Sequence, residues 1–356
     1  MRGFKAGFRN RNPFVLVAAG ALLVPALLGF QYLFTSGAWS NVPLKYCLRN
    51  SGDSFTYVSW TVGKNKWQPP AVPCIYITGG SASREAVVSG PALAAEVKQL
   101  GGPRVAAWDL GSINQNFAET LAVADNVPLS PAWVLIGVNL GRFTEFPAQN
   151  EQQVVGRDFL LKSAFLQGYV SRTYGRYKYS YTILPGIMSY LTGYLKKDGR
   201  TLLAGKAVQR QYVQHQYTVS GNASVARKQA MVHEWLTKRY PVFRSNLQYN
   251  LAMLKQILVR CRERGVHAVI LELPSNEGLI AGRFDAAKVA YQTPTKALAA
   301  QFGVPYVDFN AGLRLPDGDF HDLSHLVEPG RVLWQHRLAQ ELLKLMGPSG
   351  NGAGTQ

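Results

Sequence analysis

Val72-Pro73-Cys74-Ile75-Tyr76-Ile77-Thr78-Gly79-Gly80-Ser81 is the stretch from which the fold is read. Val72 to Ile77 is an apolar run of strand length, and it stops at a Thr78-Gly79-Gly80 turn with a serine at the tip. Two glycines let a backbone approach a substrate closely. A serine at a strand-to-helix turn has an exposed hydroxyl with neighbouring amides pointing toward it. The plainer alternative is a glycine-rich turn followed by a helix-capping serine.

The chain then alternates strand and helix patterns. Pro91 to Leu100 has helical character, with Ser89-Gly90 ahead of it as a cap. Arg104 to Trp108 and Trp133 to Ile136 read as further strands. After Ser245, the residues Leu247, Leu251, Leu254, Ile257, Leu258 and Cys261 recur at helical spacing, and Gly265 ends that helix. Ala268 to Leu271 is a continuous apolar run of the kind buried in a parallel sheet, with Glu272 marking its approach to the surface. A helix from about Ala286 to Phe302, a strand from Pro305 to Phe309 and a last helix from about Pro329 to Met346 follow. The expectation is an α/β domain over 71–346 with a parallel sheet. Two segments fall outside the rhythm. Residues from about 150 to 240, rich in Tyr, Arg and Lys, read as a helical insertion, and 347–356 as a low-complexity tail.

Acyl transfer through a serine needs a base, a group that orients the base, and donors for the oxyanion. In Asp319-Phe320-His321-Asp322-Leu323-Ser324-His325-Leu326, the carboxylate of Asp322 stands three residues before His325, close enough in a turn to fix the imidazole tautomer. His325 is then the candidate base for Ser81. Two other readings compete: a metal site of His321, Asp322 and His325, or a polar loop capping the last helix. Gly137-Val138-Asn139 and Asp109-Leu110-Gly111-Ser112 also stand at strand ends. Arg84, beside Glu85, and Arg142 are candidates for substrate binding, with an exposed ion pair as the bland reading of Arg84. Gly79-Gly80-Ser81-Ala82-Ser83 departs from G-x-S-x-G, because Ser83 replaces the second glycine. His233-Glu234 lacks the second histidine of a zincin, since Thr237 stands there.

These blocks, in this order from Ser81 to His325, resemble the SGNH (GDSL-like) hydrolase superfamily. The resemblance implies a flavodoxin-like three-layer α/β/α fold, a Ser81-His325-Asp322 triad, and an oxyanion hole of Ser81 N–H, Gly111 N–H and the Asn139 amide. It implies no cofactor and no metal. Envelope-facing members of that superfamily act in D-alanine transfer to teichoic acid and in O-acetylation of alginate and peptidoglycan. On that likeness the expected function is an acyl esterase or O-acyltransferase working on a cell-surface glycan, with a membrane-bound acyltransferase or polysaccharide-assembly protein as partner. A lipid-directed esterase or thioesterase, and a non-catalytic scaffold of a polysaccharide-assembly complex, are the rival expectations.

Composition narrows the setting. A formal charge of +17, spread along 356 residues, calls for an anionic neighbour such as phospholipid head groups or an acidic polymer. Nucleic acid is not expected, as no zinc-finger or RNA-recognition spacing occurs. Phe14 to Phe34 carries no charge and is long enough to span a bilayer core. Arg2, Lys5, Arg9 and Arg11 precede it and favour a cytoplasmic N-terminus. The expectation is a basic segment 1–13, an anchor 14–34 in the cytoplasmic (inner) membrane, a stalk and lead-in 35–70, and a periplasmic catalytic domain. A signal peptide cleaved near Ser36-Gly37-Ala38 is the alternative. Cys47, Cys74 and Cys261 form no CxxC pair and read as separate small apolar residues, with a Cys47–Cys74 disulfide as the other reading.

Overall fold

The structure, a computed structural model, describes residues 13–129, 131–146, 161–166, 168, 192, 210–310 and 312–347. The basic residues Arg2 to Arg11, the tail beyond Gly347 and most of the expected insertion lie outside the described residues, including Tyr169, Arg172, Tyr174, Arg176, Tyr177, Lys178, Tyr179, Tyr181, Tyr190 and Tyr194.

Five strands form one sheet: β1 Cys74–Thr78, β2 Ala106–Asp109, β3 Ala132–Val138, β4 His267–Glu272 and β5 Tyr306–Asp308. Their order is β2-β1-β3-β4-β5, and every neighbouring pair is parallel. That is the 2-1-3-4-5 order of doubly wound sheets, whose winding reverses between β1 and β3. Loops leaving those two strands separate above the sheet, and a crevice opens at their carboxyl ends. The Ser81 and Asn139 loops leave from these two ends.

Among the described residues, eight longer helices accompany the strands: α1 Pro13–Thr35, α2 Ser54–Trp67, α3 Gly90–Gln99, α4 Phe117–Asn126, α5 Val225–Glu234, α6 Tyr240–Glu263, α7 Asp285–Phe302 and α8 Glu328–Met346. Strand side chains alternate between two cores. Tyr76, Val134, Ile136 and Ile270 pack with residues of α2, α4, α6 and α7 on one face. Ile75, Ile77, Leu135 and Leu271 pack with α3 and α8 on the other, around Leu93, Trp334 and Leu338. The result is three layers, with each fully buried aliphatic side chain contributing roughly 1.5–3 kcal/mol.

Local signals account for several helix ends. The Ser89 hydroxyl accepts from the Ala92 amide at 3.1 Å and starts α3. Asn116 and Glu119 close a reciprocal capping box on α4. The spaced apolar residues of α6 turn Leu251, Leu254, Ile257, Leu258 and Cys261 inward.

Residues 35–70 differ from the expected stalk. Helix α2 lies within them, and its Val58 and Val62 are buried in the first core. All three cysteines are buried thiols, and Cys47 and Cys74 are not joined. Helix α1 forms over the expected anchor, with Phe14, Val17, Leu22, Val24 and Leu28 exposed. On the described residues alone, no helix is long and apolar enough to cross a membrane. Nine side chains of α1 (Pro13, Leu16, Leu23, Ala26, Leu27, Phe30, Gln31, Phe34 and Thr35) lie outside that description.

Candidate active site

Strand β1 delivers Gly79 in a conformation, φ 147°, that L side chains rarely adopt. A Cβ there would sit 2.8 Å from the Ser83 Cβ. The Gly79 amide donates to Gln115 Oε1 at 2.7 Å, and a short helical turn, Ser81–Arg84, follows. This geometry leaves Ser81 half-buried at the carboxyl edge of the sheet.

From the opposite side, the loop before α8 brings its histidine to the serine. Ser81 Oγ lies 2.8 Å from His325 Nε2, and His325 Nδ1 lies 2.7 Å from Asp322 Oδ2. The other Asp322 oxygen accepts from the Ser324 and His325 amides at 2.9 and 3.0 Å. Burial by itself raises the Asp322 carboxyl. The His325 hydrogen bond and charge, with those two amides, outweigh it and lower the pKa to about 2. Asp322 is therefore ionised at neutral pH and takes the Nδ1 hydrogen, which leaves Nε2 to accept from the Ser81 hydroxyl.

Tyr217 packs its ring on His325 with centroids 4.7 Å apart and on His321 at 4.3 Å. His321 thus stacks on an aromatic ring beside the loop. Among the described residues no three His, Cys, Asp or Glu side chains are grouped to hold a metal ion.

The two expected oxyanion donors behave differently. Asn139 is half-buried after β3, and its Oδ1 accepts from the Arg142 amide at 3.1 Å. That bond leaves Nδ2 as the free donor of a residue lining the cavity beside His325. Gly111 departs from expectation, because its N–H already donates to Asp109 Oδ1 at 2.9 Å. It serves another purpose. A Cβ on Gly111 would lie 2.5 Å from the Arg84 backbone nitrogen, so only glycine lets the β2 loop pack this tightly on the serine turn.

Neither arginine stands open to a substrate. Arg84 is 1% exposed and pairs through Nε and Nη2 with Glu85 Oε1, at 3.1 and 3.0 Å. The ion pair read as exposed is buried. Glu85 also accepts from Arg331 Nη2 and from the Gln216 amide at 3.0 Å, while His215 Nδ1 lies 3.3 Å from it. Arg142 is buried behind the Gly79-Gly80 turn, its guanidinium 4.3 Å from the Phe117 ring centroid.

Sequence reading missed several of these residues. Gln115 holds Gly79 across 36 positions, and Thr120 donates to the same Gln115 oxygen at 3.2 Å. Gln214 Nε2 donates to Asp109 at 2.7 Å, and Tyr217 covers His325. All sit far from the motifs they support. Of the local signals, the capping pattern of Asn116 and Glu119 is the one that could have marked a structured turn there.

A cavity of about 730 Å³ opens beside His325 and Asn139, lined further by Trp235, Glu272, Lys288 and Tyr291. Glu272, 3% exposed at the end of β4, accepts from the Tyr291 and Tyr306 hydroxyls. Burial dominates and pushes its carboxyl up to about 7. No protein-family model matches the chain, and no curated protein is significantly similar to it.

Proposed function

We propose that this protein is a serine acyl esterase or O-acyltransferase of the SGNH type. The observation that carries the reading is the unbroken chain from Ser81 Oγ through the His325 ring to Asp322, at 2.8 and 2.7 Å, beside a substrate-sized cavity. In the first step the Ser81 hydroxyl attacks the acyl carbonyl carbon and its proton passes to His325 Nε2. Asp322 stabilises the resulting imidazolium. Ser81 N–H and Asn139 Nδ2 serve the oxyanion. Collapse expels the alcohol, which takes the proton from His325 and leaves an ester on Ser81. Water or a sugar hydroxyl then attacks that ester and gives its proton to His325, which returns it to Ser81.

The cavity lining mixes charged and polar side chains (Arg227, Glu234, Lys288, Asn310) that suit a hydroxyl-rich glycan with apolar ones (Met231, Trp235, Phe284) that would suit the acyl group or a sugar face. The charge-free run Phe14 to Phe34 and the basic residues before it support a single-pass anchor in the inner membrane with the catalytic domain outside the cytoplasm. A surplus of 17 positive charges suits an anionic lipid or polymer surface.

The test is hydrolysis of p-nitrophenyl acetate by the full chain in detergent beside Ser81→Ala, with a fluorophosphonate probe reporting covalent labelling. The mutant is expected to lose roughly a thousandfold or more of the rate, and all labelling. Equal rates in both proteins together with no labelling of Ser81 would sink the reading and leave the non-catalytic scaffold.

A further inference from the structure

Arg142 is 3% exposed, and it is still charged at neutral pH although burial lowers its pKa to about 10. Its Nη2 donates to Thr120 Oγ1 at 3.0 Å, while Nε and Nη1 have no hydrogen-bond partner. Leaving guanidinium N–H groups buried and unsatisfied costs folding free energy. The fold places this costly group directly against the serine turn. A Cβ on Gly79 would lie 3.4 Å from Arg142 Nη1, and one on Gly80 would lie 3.8 Å from its Cδ.

Two sets of contacts radiate from this residue toward the remaining oxyanion donors. Its main-chain N–H holds Asn139 Oδ1, which sets the direction of the Asn139 Nδ2 group. Its side chain holds Thr120, Thr120 donates to Gln115, and Gln115 accepts from the Gly79 amide two residues before Ser81. With the Gly111 amide committed to Asp109, the oxyanion has one donor fewer than the motif implies. A fixed positive charge in a dry site, aimed where negative charge develops, favours the transition state over the ground state.

We propose that Arg142 is a positioning residue of the oxyanion site, orienting Asn139 and the serine turn and supplying charge from behind that turn in place of the Gly111 donor. The inference rests on the acyl-transfer reading above. It makes Arg142 a determinant of kcat, acting without touching the substrate.

The experiment compares the full-length protein with Arg142→Met, Arg142→Lys, Thr120→Val and Ser81→Ala. It measures kcat and KM for p-nitrophenyl acetate and the affinity for a phenylboronic acid, which forms a tetrahedral adduct on the serine. Arg142→Met is expected to lower kcat between about tenfold and a thousandfold and to weaken the boronate in parallel, with KM changing by less than about threefold. Arg142→Lys, which keeps the charge, is expected to recover most of the kcat. Thr120→Val keeps the guanidinium but cuts its anchor, so kcat falls by about three- to tenfold with KM unchanged. Should Arg142→Met fail to fold, Thr120→Val and Arg142→Lys decide the matter, since unchanged kcat in the former, or equal damage to kcat and KM in both, overturns the proposal. A folded Arg142→Met with wild-type kcat overturns it alone. A wild type without Ser81-dependent turnover or labelling overturns the acyl-transfer reading and this inference with it.

Discussion

Glu85 and Glu272 are both buried carboxylates near the carboxyl edge of the sheet, yet their carboxyls shift in opposite directions. Glu85 lies behind the serine turn. Burial raises its carboxyl, but His215, the Gln216 amide, Arg331 and Arg84 outweigh that and hold it below the ordinary range. Glu272 faces the cavity, and the hydroxyls of Tyr291 and Tyr306 are its hydrogen-bond donors. There burial wins and the carboxyl rises to about 7, with Asp308 adding to the rise and Lys288 opposing it. Equal burial does not decide charge; the number and charge of the donors do. Glu85 is thereby a fixed anion that binds the serine turn to α8 and to the segment carrying Tyr217. Glu272 is poised to exchange a proton at neutral pH beside the cavity.

The comparison is broken most forcefully at Glu85. Glu85→Gln leaves the guanidinium groups of Arg84 and Arg331 buried without their carboxylate, with an expected loss of about 3–5 kcal/mol in urea unfolding. A loss below about 1 kcal/mol would mean that the ion pairs do not secure the turn.

At Glu272 the folded-state pKa is raised, from 4.5 to about 7. The folded protein then binds more protons than the unfolded chain between those values, so stability is fully present below about pH 4.5 and is lost as pH rises through about 7. Glu272→Gln should erase that limb, worth up to roughly 3 kcal/mol in the wild type. Parallel stability profiles from pH 4 to 8 in the two proteins would show that Glu272 does not titrate as described.

Asp322 sharpens the contrast from the acid side. Its pKa is lowered from 3.8 to about 2, so its contribution is present above about pH 3.8 and lost as pH falls toward 2. Asp322→Asn is expected to remove about 2 kcal/mol at neutral pH and to flatten the profile below pH 4. Acid unfolding curves of the two proteins that keep the same separation from pH 7 to pH 2 would contradict the assignment.

Much of the fold was legible in the chain because strands buried on both faces must be apolar throughout. All five expected strands are reproduced to within two residues at each end, with β3 running on to Val138. The helices packed on the sheet carried apolar residues at helical spacing or visible caps. Helix α2 was missed because residues 35–70 contain many Ser, Gly and Asn, and Val58 and Val62 are too few to set a period. At the site, Ser81, Asp322 and His325 were legible because each sits in a short local pattern, and the structure brings all three together. Gly111 and the two arginines were misjudged for a common reason. Whether an N–H or a guanidinium is free depends on side-chain rotamers and packing: Asp109 and Glu85 are near neighbours in sequence whose carboxylates turn onto the Gly111 amide and Arg84, while Phe117 meets Arg142 from a distant segment.

By itself the sequence determined the alternation of strands and helices, the parallel sheet and the chemistry-bearing residues at the strand ends. Hydrophobic period and turn chemistry are local properties, written within a few residues of each element. Only the tertiary structure decided in which direction each buried carboxyl shifts, and that Arg142 lies under the serine turn. Those outcomes depend on desolvation and on partners from distant segments, which no local stretch of sequence specifies.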